Sequence, residues 1–301
     1  MRKQFKDTMT ALATEDERVV LLFGDISVYL FNDFQATFPD RFYNLGICEA
    51  TLVSMAAGLR SQGLVPVVHS IAPFVTERAM EQIKVDLCYN RLPANIVSCG
   101  ATFDYAWDGA THHAWMDLAF MRLLPATEVL QPGSPAEADF LIRTYYDSPN
   151  TSYFRLSDHT HGLTLPLQRG RGGAVVRDMG APVTIVTAGP ILADVLGAVS
   201  DLPVNVIYFH TLKPFDDDLL HAYSHTDLRV VHDSFGLFEA VSERAAGAVR
   251  RLGLPDRFCE TYGTLADARR NVGLGIDDIR AFAQSAAPAS HGRTACEPSV
   301  A

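Results

Sequence analysis

Short runs of apolar, β-branched residues alternate with longer amphipathic stretches from one end of the chain to the other. "RVVLLFGD" (residues 18–25) predicts a strand closing in a turn, and "CEATLVSMAAGLRSQG" (48–63) a helix stopped by Gly63. "VPVVHSI" (65–71) predicts a second strand, "TERAMEQIKVDLCYN" (76–90) a helix and "ANIVSCG" (94–100) a third strand. These strands are apolar at consecutive positions, the pattern of strands buried on both faces. The alternation therefore predicts an α/β fold with parallel strands and helices on either side of the sheet.

Neither period is visible in "LPLQRGRGGAVVRDMGAP" (165–182), where glycine and polarity rise, and a linker is expected there. The alternation then restarts with strands predicted at "VTIVTAG", "VNVIYFH" and "LRVVHDS" and helices at "PILADVLGAVSDL", "DDDLLHAYSH" and "FEAVSERAAGAVRRLG". The expected organisation is a first domain over 1–165, a linker over 166–180 and a second domain over 181–284. The small, polar stretch 285–301 is expected to be a disordered tail. The fold class is thus α/β, as two consecutive open sheets flanked by helices.

Composition narrows the function classes. With 48% apolar and 20% charged residues among 301, both domains have enough material for a core. A net charge of −10, with no basic stripe to offset it, argues against nucleic acid as a partner. No uncharged apolar run approaches the ~18 residues of a membrane span, and the N-terminal stretch lacks a secretory h-region. A cytoplasmic protein without membrane contact is expected. The five cysteines are scattered and free of CxxC spacing, which predicts reduced, mostly buried thiols and no zinc site.

Two places concentrate candidate chemistry. Glu49 opens the apolar helix of "YNLGICEATLVSMAAGL". An acid there commonly just complements the positive end of a helix, and read alone Glu49 fits that role. "FDYAWDGATHHAW" (103–115) gathers aromatic rings, Asp108 and the pair His112–His113 on a loop directly after a predicted strand. In open α/β sheets ligands bind beyond the carboxyl ends of strands. The histidines fit local hydrogen bonding at a helix start. His112 beside Asp108 also has the chemistry to bond and protonate substrate oxygens. Adjacent histidines make a poor metal pair. No GxxxxGK[ST], no GxGxxG after a strand and no GxSxG occurs. Nucleotide and nucleophile machinery are therefore missing, and catalysis would need a cofactor or a second chain.

The order "NLGICEA", "TERAMEQI", "DGATHH", "LPATEVLQPGSPAEA" and "TLKPFD" resembles the pyrimidine-binding and C-terminal domains of the transketolase family, over nearly the whole chain. The resemblance implies thiamine diphosphate as cofactor. The family's diphosphate domain, marked by GDG and a later asparagine, has no counterpart, because the single "GD" (Gly24–Asp25) is followed by Ile26. The chain thus resembles the second subunit of a split transketolase. A separate subunit carrying the diphosphate and its Mg²⁺ (or Ca²⁺) is implied, with an α₂β₂ assembly.

Carried over by motif, the resemblance makes Glu49 the catalytic glutamate, hydrogen-bonded to the aminopyrimidine ring nitrogen so that the imino nitrogen of the resulting tautomer can take the proton from C2. It makes Phe74 the ring stacked on the pyrimidine, although a core phenylalanine reads nearly as well there. Asp25 and Ile26 match the turn that approaches the thiazolium. Asp108 and His112 match the acid and histidine of "DGPTH", which contact sugar hydroxyls and carbonyl, with Ala110 in place of the proline. Two phosphate ligands are replaced: Asp158 stands in "LSDHTH" where an arginine is usual, and Gly100 in "SCGATFD" where a histidine is usual. Only Arg2 matches a third. An aspartate repels a phosphate dianion.

The implied activity is two-carbon transfer to a carbonyl acceptor that is not a simple sugar phosphate, such as a nucleotide-linked or carrier-bound keto sugar. The alternative is a pyruvate-using enzyme of the same cofactor class, like deoxyxylulose-phosphate synthase or the E1 β subunit of 2-oxo acid dehydrogenases. A non-catalytic scaffold subunit is the third reading.

Overall fold

The computed structural model describes residues 1–286; the expected tail from residue 287 onward, with Cys296, lies outside the described residues. The strands, in chain order, are β1 (Val19–Phe23), β2 (Phe42–Asn44), β3 (Val65–Ile71), β4 (Asn95–Cys99), β5 (Thr127–Leu130), β6 (Thr151–Arg155), β7 (Gly173–Arg177), β8 (Val183–Ala188), β9 (Asn205–Phe209), β10 (Thr211–Lys213), β11 (Asp227–Val231) and β12 (Arg250–Leu252). They form a seven-stranded sheet in the order β10-β5-β6-β4-β3-β1-β2 and a five-stranded sheet in the order β12-β11-β8-β9-β7. The predicted α/β class with two helix-flanked sheets is what the chain adopts.

Alternation within each strand explains how both faces are filled. In β1, Val19, Leu21 and Phe23 join a core with Phe5, Met9 and Leu12 of the helix Arg2–Glu15. Val20 and Leu22 face the other way and meet Leu52, Val53 and Ala56 of the helix Glu49–Ser61. Side chains two apart share a face, so an all-apolar strand needs a cover on each side. The core that contains Val20 and Leu22 continues into the second sheet through Val186, Ile207, Phe209 and Val230. The two sheets therefore share a hydrophobic interior.

Three expectations need correction. The stretch read as a linker contains β7, which pairs antiparallel with β9 and closes the edge of the second sheet. Its glycines and arginines hid a strand that is only partly buried. The helix expected over 238–253 stops at Ser242, and Arg250–Leu252 instead extends β11 as the parallel strand β12. Arg250 reaches Ser285 Oγ at 2.6 Å, so the edge strand is held by polar contacts that a helical period does not reveal. The helix expected over 76–90 is broken: one turn runs Ala72–Thr76, and after residues 77–79 the chain rewinds, with Ile83–Tyr89 in wide π-type turns.

β10 comes from the second half of the chain but pairs antiparallel with β5 of the first sheet, Thr211 opposite Leu130. Lys213 Nζ reinforces that seam by donating to Thr127 Oγ1 at 3.1 Å. An exposed strand edge invites pairing with foreign strands, and β10 covers this one.

Charged groups lie deep beneath the sheet ends. Arg155 and Asp117 are fully buried and joined at 2.8 Å, with Tyr153 donating to the same carboxylate oxygen at 2.5 Å. Arg269 bridges Asp233 at 2.5 Å and Asp194 at 2.6 Å. Burial alone would raise the Asp233 carboxyl, but Arg269 prevails and holds it at about 2. Removing one partner of a buried pair strands the other charge without water. Arg155→Met is therefore expected to lower unfolding stability by about 3–5 kcal/mol, read from urea denaturation followed by circular dichroism.

Candidate active site

The helix Glu49–Ser61 buries positions 49, 52, 53, 56 and 57, one continuous stripe at helical spacing. Glu49 thus takes the first place of a core-facing row, and its exposure is 1%. A carboxylate so placed requires partners. Ser70 Oγ donates to Glu49 Oε1 at 3.1 Å, and Arg78 Nη1 donates to Oε2 at 2.8 Å. The helix start adds its positive end. Ser70 is buried at the end of β3, whereas the Arg78 side chain is 49% exposed. One partner of the carboxylate is buried and the other is half in solvent.

Phe74 and His112 meet beside this carboxylate. Their ring centroids are 5.0 Å apart in an edge-on arrangement, and the Arg78 guanidinium carbon lies 4.4 Å from the Phe74 centroid. His112 is half-buried and pairs through Nδ1 with Thr111 Oγ1 at 2.9 Å. Tyr105 stands 6.2 Å from His112 on another side. The neighbouring His113 points elsewhere, buried edge-on against Phe103 with neither ring nitrogen partnered, and burial first, then His112, lowers its proton affinity. The histidine pair is thus split between the site and the interior.

The turn after β1 closes the site from below. A side chain at Gly24 would crowd Ser70, the group that holds Glu49, since a Cβ would sit 3.0 Å from its Oγ. Asp25 and Ser27 adopt left-handed backbone, at φ 60° and 59°. Asn44 secures the first by accepting from the Asp25 backbone N–H and donating to its carboxylate, both at 3.0 Å. Ser27 is held by buried His69, whose Nδ1 donates to the Val97 carbonyl at 2.7 Å, leaving Nε2 to accept from Ser27 Oγ at 3.1 Å. Asp25 is exposed and Ile26 half-buried on this turn.

Asp108 and Arg2 are the remaining predicted residues. Asp108 is exposed, on the loop that also carries His112. Gly109 between them has φ 73°, and a Cβ there would lie 2.7 Å from the Tyr262 ring. Arg2 is engaged by Asp158 through two bonds of 3.2 Å, so its charge is already answered. A side chain at Gly100 would meet the Tyr105 ring at 2.5 Å. The two replaced phosphate ligands therefore have local substitutes: an ion pair at one place and an aromatic ring at the other. Asp104, below them, accepts from Ser157 Oγ and the backbone N–H of Ala101 and Asp158, yet burial pushes its carboxyl up to about 6.

Sequence reasoning missed Arg78, Ser70, Asn44 and Tyr105. Arg78 had a signal, because an arginine four residues beyond an aromatic often lies over its ring. Asn44 had none, since its role depends on β1 and β2 lying side by side.

Residues 1–160 match the family model of the transketolase pyrimidine binding domain. The chain is 31% identical to 1-deoxy-D-xylulose-5-phosphate synthase of Heliobacterium modesticaldum across 96% of its own length and 47% of that protein. It is 26% identical to the 6-deoxy-6-sulfo-D-fructose transketolase subunit SqwH of Clostridium sp., covering 93% of this chain and 92% of that one. The structure superposes on a split gene transketolase, described as an inactive β4 tetramer, with a TM-score of 0.83 at 29% identity over 94% of this chain and 96% of the other. The chain thus spans about half the length of the synthase but nearly all of the split subunits.

Burial lowers the His69 pKa from 6.5 to about 4, so the folded protein keeps this ring neutral while the unfolded chain protonates it. Its share of stability is present above pH 6.5 and is lost as pH falls toward 4. Against a His69→Gln variant, the wild type should lose about 3 kcal/mol more between pH 7 and pH 4, measured by urea denaturation at each pH.

Proposed function

The chain belongs to the thiamine-diphosphate-dependent transketolase family, and from that premise we propose that it is the pyrimidine-binding subunit of a two-component enzyme transferring a two-carbon unit to a carbonyl acceptor. The observation that carries this reading is the buried Glu49 carboxylate bonded to the half-exposed Arg78, whose guanidinium also lies on the face of Phe74. The pair of groups suits the cofactor's pyrimidine end, because a planar N–H-bearing group, the Arg78 guanidinium, already lies across Phe74 while donating to Glu49. An aminopyrimidine makes the same two demands. The cofactor, when bound, supplies the electron sink for breaking and making the carbon–carbon bond.

Each residue then has a role. Glu49 would hydrogen-bond the pyrimidine ring nitrogen and share a proton with it. Phe74 would support the ring's face, and the Asp25–Ile26 turn would help hold the neighbouring part of the cofactor. His112 is placed to exchange a proton with the substrate carbonyl oxygen, and Asp108 to bond a hydroxyl. Mg²⁺ (or Ca²⁺) and the diphosphate belong to a partner subunit with GDG and a downstream asparagine, in an α₂β₂ complex.

The acceptor is not a simple sugar phosphate. Arg2 is neutralised by Asp158, and the Tyr105 ring packs against Gly100, so neither of those positions presents a free cation. A second reading, a pyruvate-using enzyme, is favoured by the similarity to the synthase. Release of CO₂ from pyruvate by the reconstituted pair would sink the ketose-only reading. In the same assay Glu49→Gln should lose at least ~100-fold in turnover, and unchanged turnover would remove its catalytic role. Asp158→Asn, which frees Arg2, should lower KM for a phosphorylated acceptor several-fold relative to its unphosphorylated analogue.

A further inference from the structure

Glu49 already has its hydrogen bonds before any ligand arrives. Ser70 supplies one oxygen with a donor, and Arg78 supplies the other at 2.8 Å. The same guanidinium lies on the face of Phe74, its carbon 4.4 Å from the ring centroid. These are the two surfaces that a stacked, nitrogen-bearing ring must use. The guanidinium and such a ring are both planar, both carry N–H groups and both are drawn to an aromatic face. They cannot both lie between the same carboxylate and the same phenylalanine.

The geometry points to Arg78 as a displaceable occupant of the pyrimidine position, a latch that keeps the buried carboxylate paired in the unloaded subunit and swings out when the ring enters. This rests on the proposed pyrimidine site. Three features make the swing feasible. Half of the Arg78 side chain is already in solvent. Its backbone lies at residues 77–79, between two helical turns, and not inside a rigid helix. Glu49 is its single carboxylate partner among the described residues. Ser70, by contrast, is buried in β3 and stays on Glu49 throughout.

A site closed part of the time binds with an affinity reduced by the open fraction. The latch therefore weakens pyrimidine binding by the subunit and protects it from an unpaired buried charge. Removing the guanidinium should raise the affinity. The loss of one exposed–buried ion pair and one cation–aromatic contact corresponds to about five- to tenfold.

The test is titration of the reconstituted pair, this chain and its diphosphate-binding partner subunit, with thiamine diphosphate, followed by saturation-transfer NMR on the pyrimidine protons and by calorimetry. Wild type, Arg78→Ala, Arg78→Gln and Glu49→Ala are compared, with far-ultraviolet circular dichroism and thermal melts to show that each is folded. Both Arg78 variants should bind about five- to tenfold tighter than wild type. Millimolar guanidinium chloride, as a free replacement for the missing side chain, should compete with the ligand in Arg78→Ala and have no effect in wild type. Equal or weaker binding by both Arg78 variants overturns the latch and makes Arg78 a part of the bound site. Absence of binding in wild type and both Arg78 variants, or binding indifferent to Glu49→Ala, overturns the pyrimidine-site reading itself.

Discussion

The carboxylate of Glu49 sits where the helical period calls for an apolar residue, and the arrangement around it follows from keeping it there. An unpartnered buried carboxylate costs several kcal/mol. Two hydrogen bonds to a charged acceptor, each contributing about 1.5–3 kcal/mol, and the helix start, about 0.3–1 kcal/mol, offset that cost. Ser70 can serve only if β3 runs beside β1 in the observed register, with Val19 opposite Val65. A glycine at position 24 keeps Ser70 uncrowded, and the chain turns through left-handed backbone at Asp25. The pairing of one buried carboxylate thus bears on a strand register, a glycine and a turn.

The second half of the chain supports the loop that carries His112. Phe103 and Ala106 pack with Leu254, Cys259 and Ala268, and Thr102 bonds Asp233 and Ser234 at 3.2 and 3.0 Å. Tyr262 lies over Gly109, and the Phe235 N–H donates to the Trp115 carbonyl at 2.9 Å. A catalytic loop must hold its side chains within a fraction of an ångström of the productive position. Here the loop is held from the second half of the chain, although the predicted site residues lie in the first.

Much of this was legible in the sequence, for identifiable reasons. β1, β3, β4, β8, β9 and β11 are central strands, apolar on both faces, and their composition announces them. β7, β10 and β12 lie at or near sheet edges, carry arginine, lysine or glycine, and take their identity from the strand beside them. Glu49 and His112 stood out through motifs, and Phe74 through its place before "TERAMEQI". The Glu49–Arg78 and Asp25–Asn44 bonds did not, because they join residues about twenty to thirty positions apart, and no local pattern encodes such a distance. The Arg2–Asp158 pair was half visible: the sequence offered a cation and an acid in the same part of the site but not that they neutralise each other.

β10 carries a consequence for how the molecule is made. The edge of the first sheet is closed by residues that the ribosome delivers only after β7, β8 and β9 of the second sheet have been synthesised. Until Thr211–Lys213 has emerged, β5 presents unpaired backbone groups in a crowded solution. The nascent chain therefore passes through an interval in which one edge of its first sheet is open in hydrogen bonding.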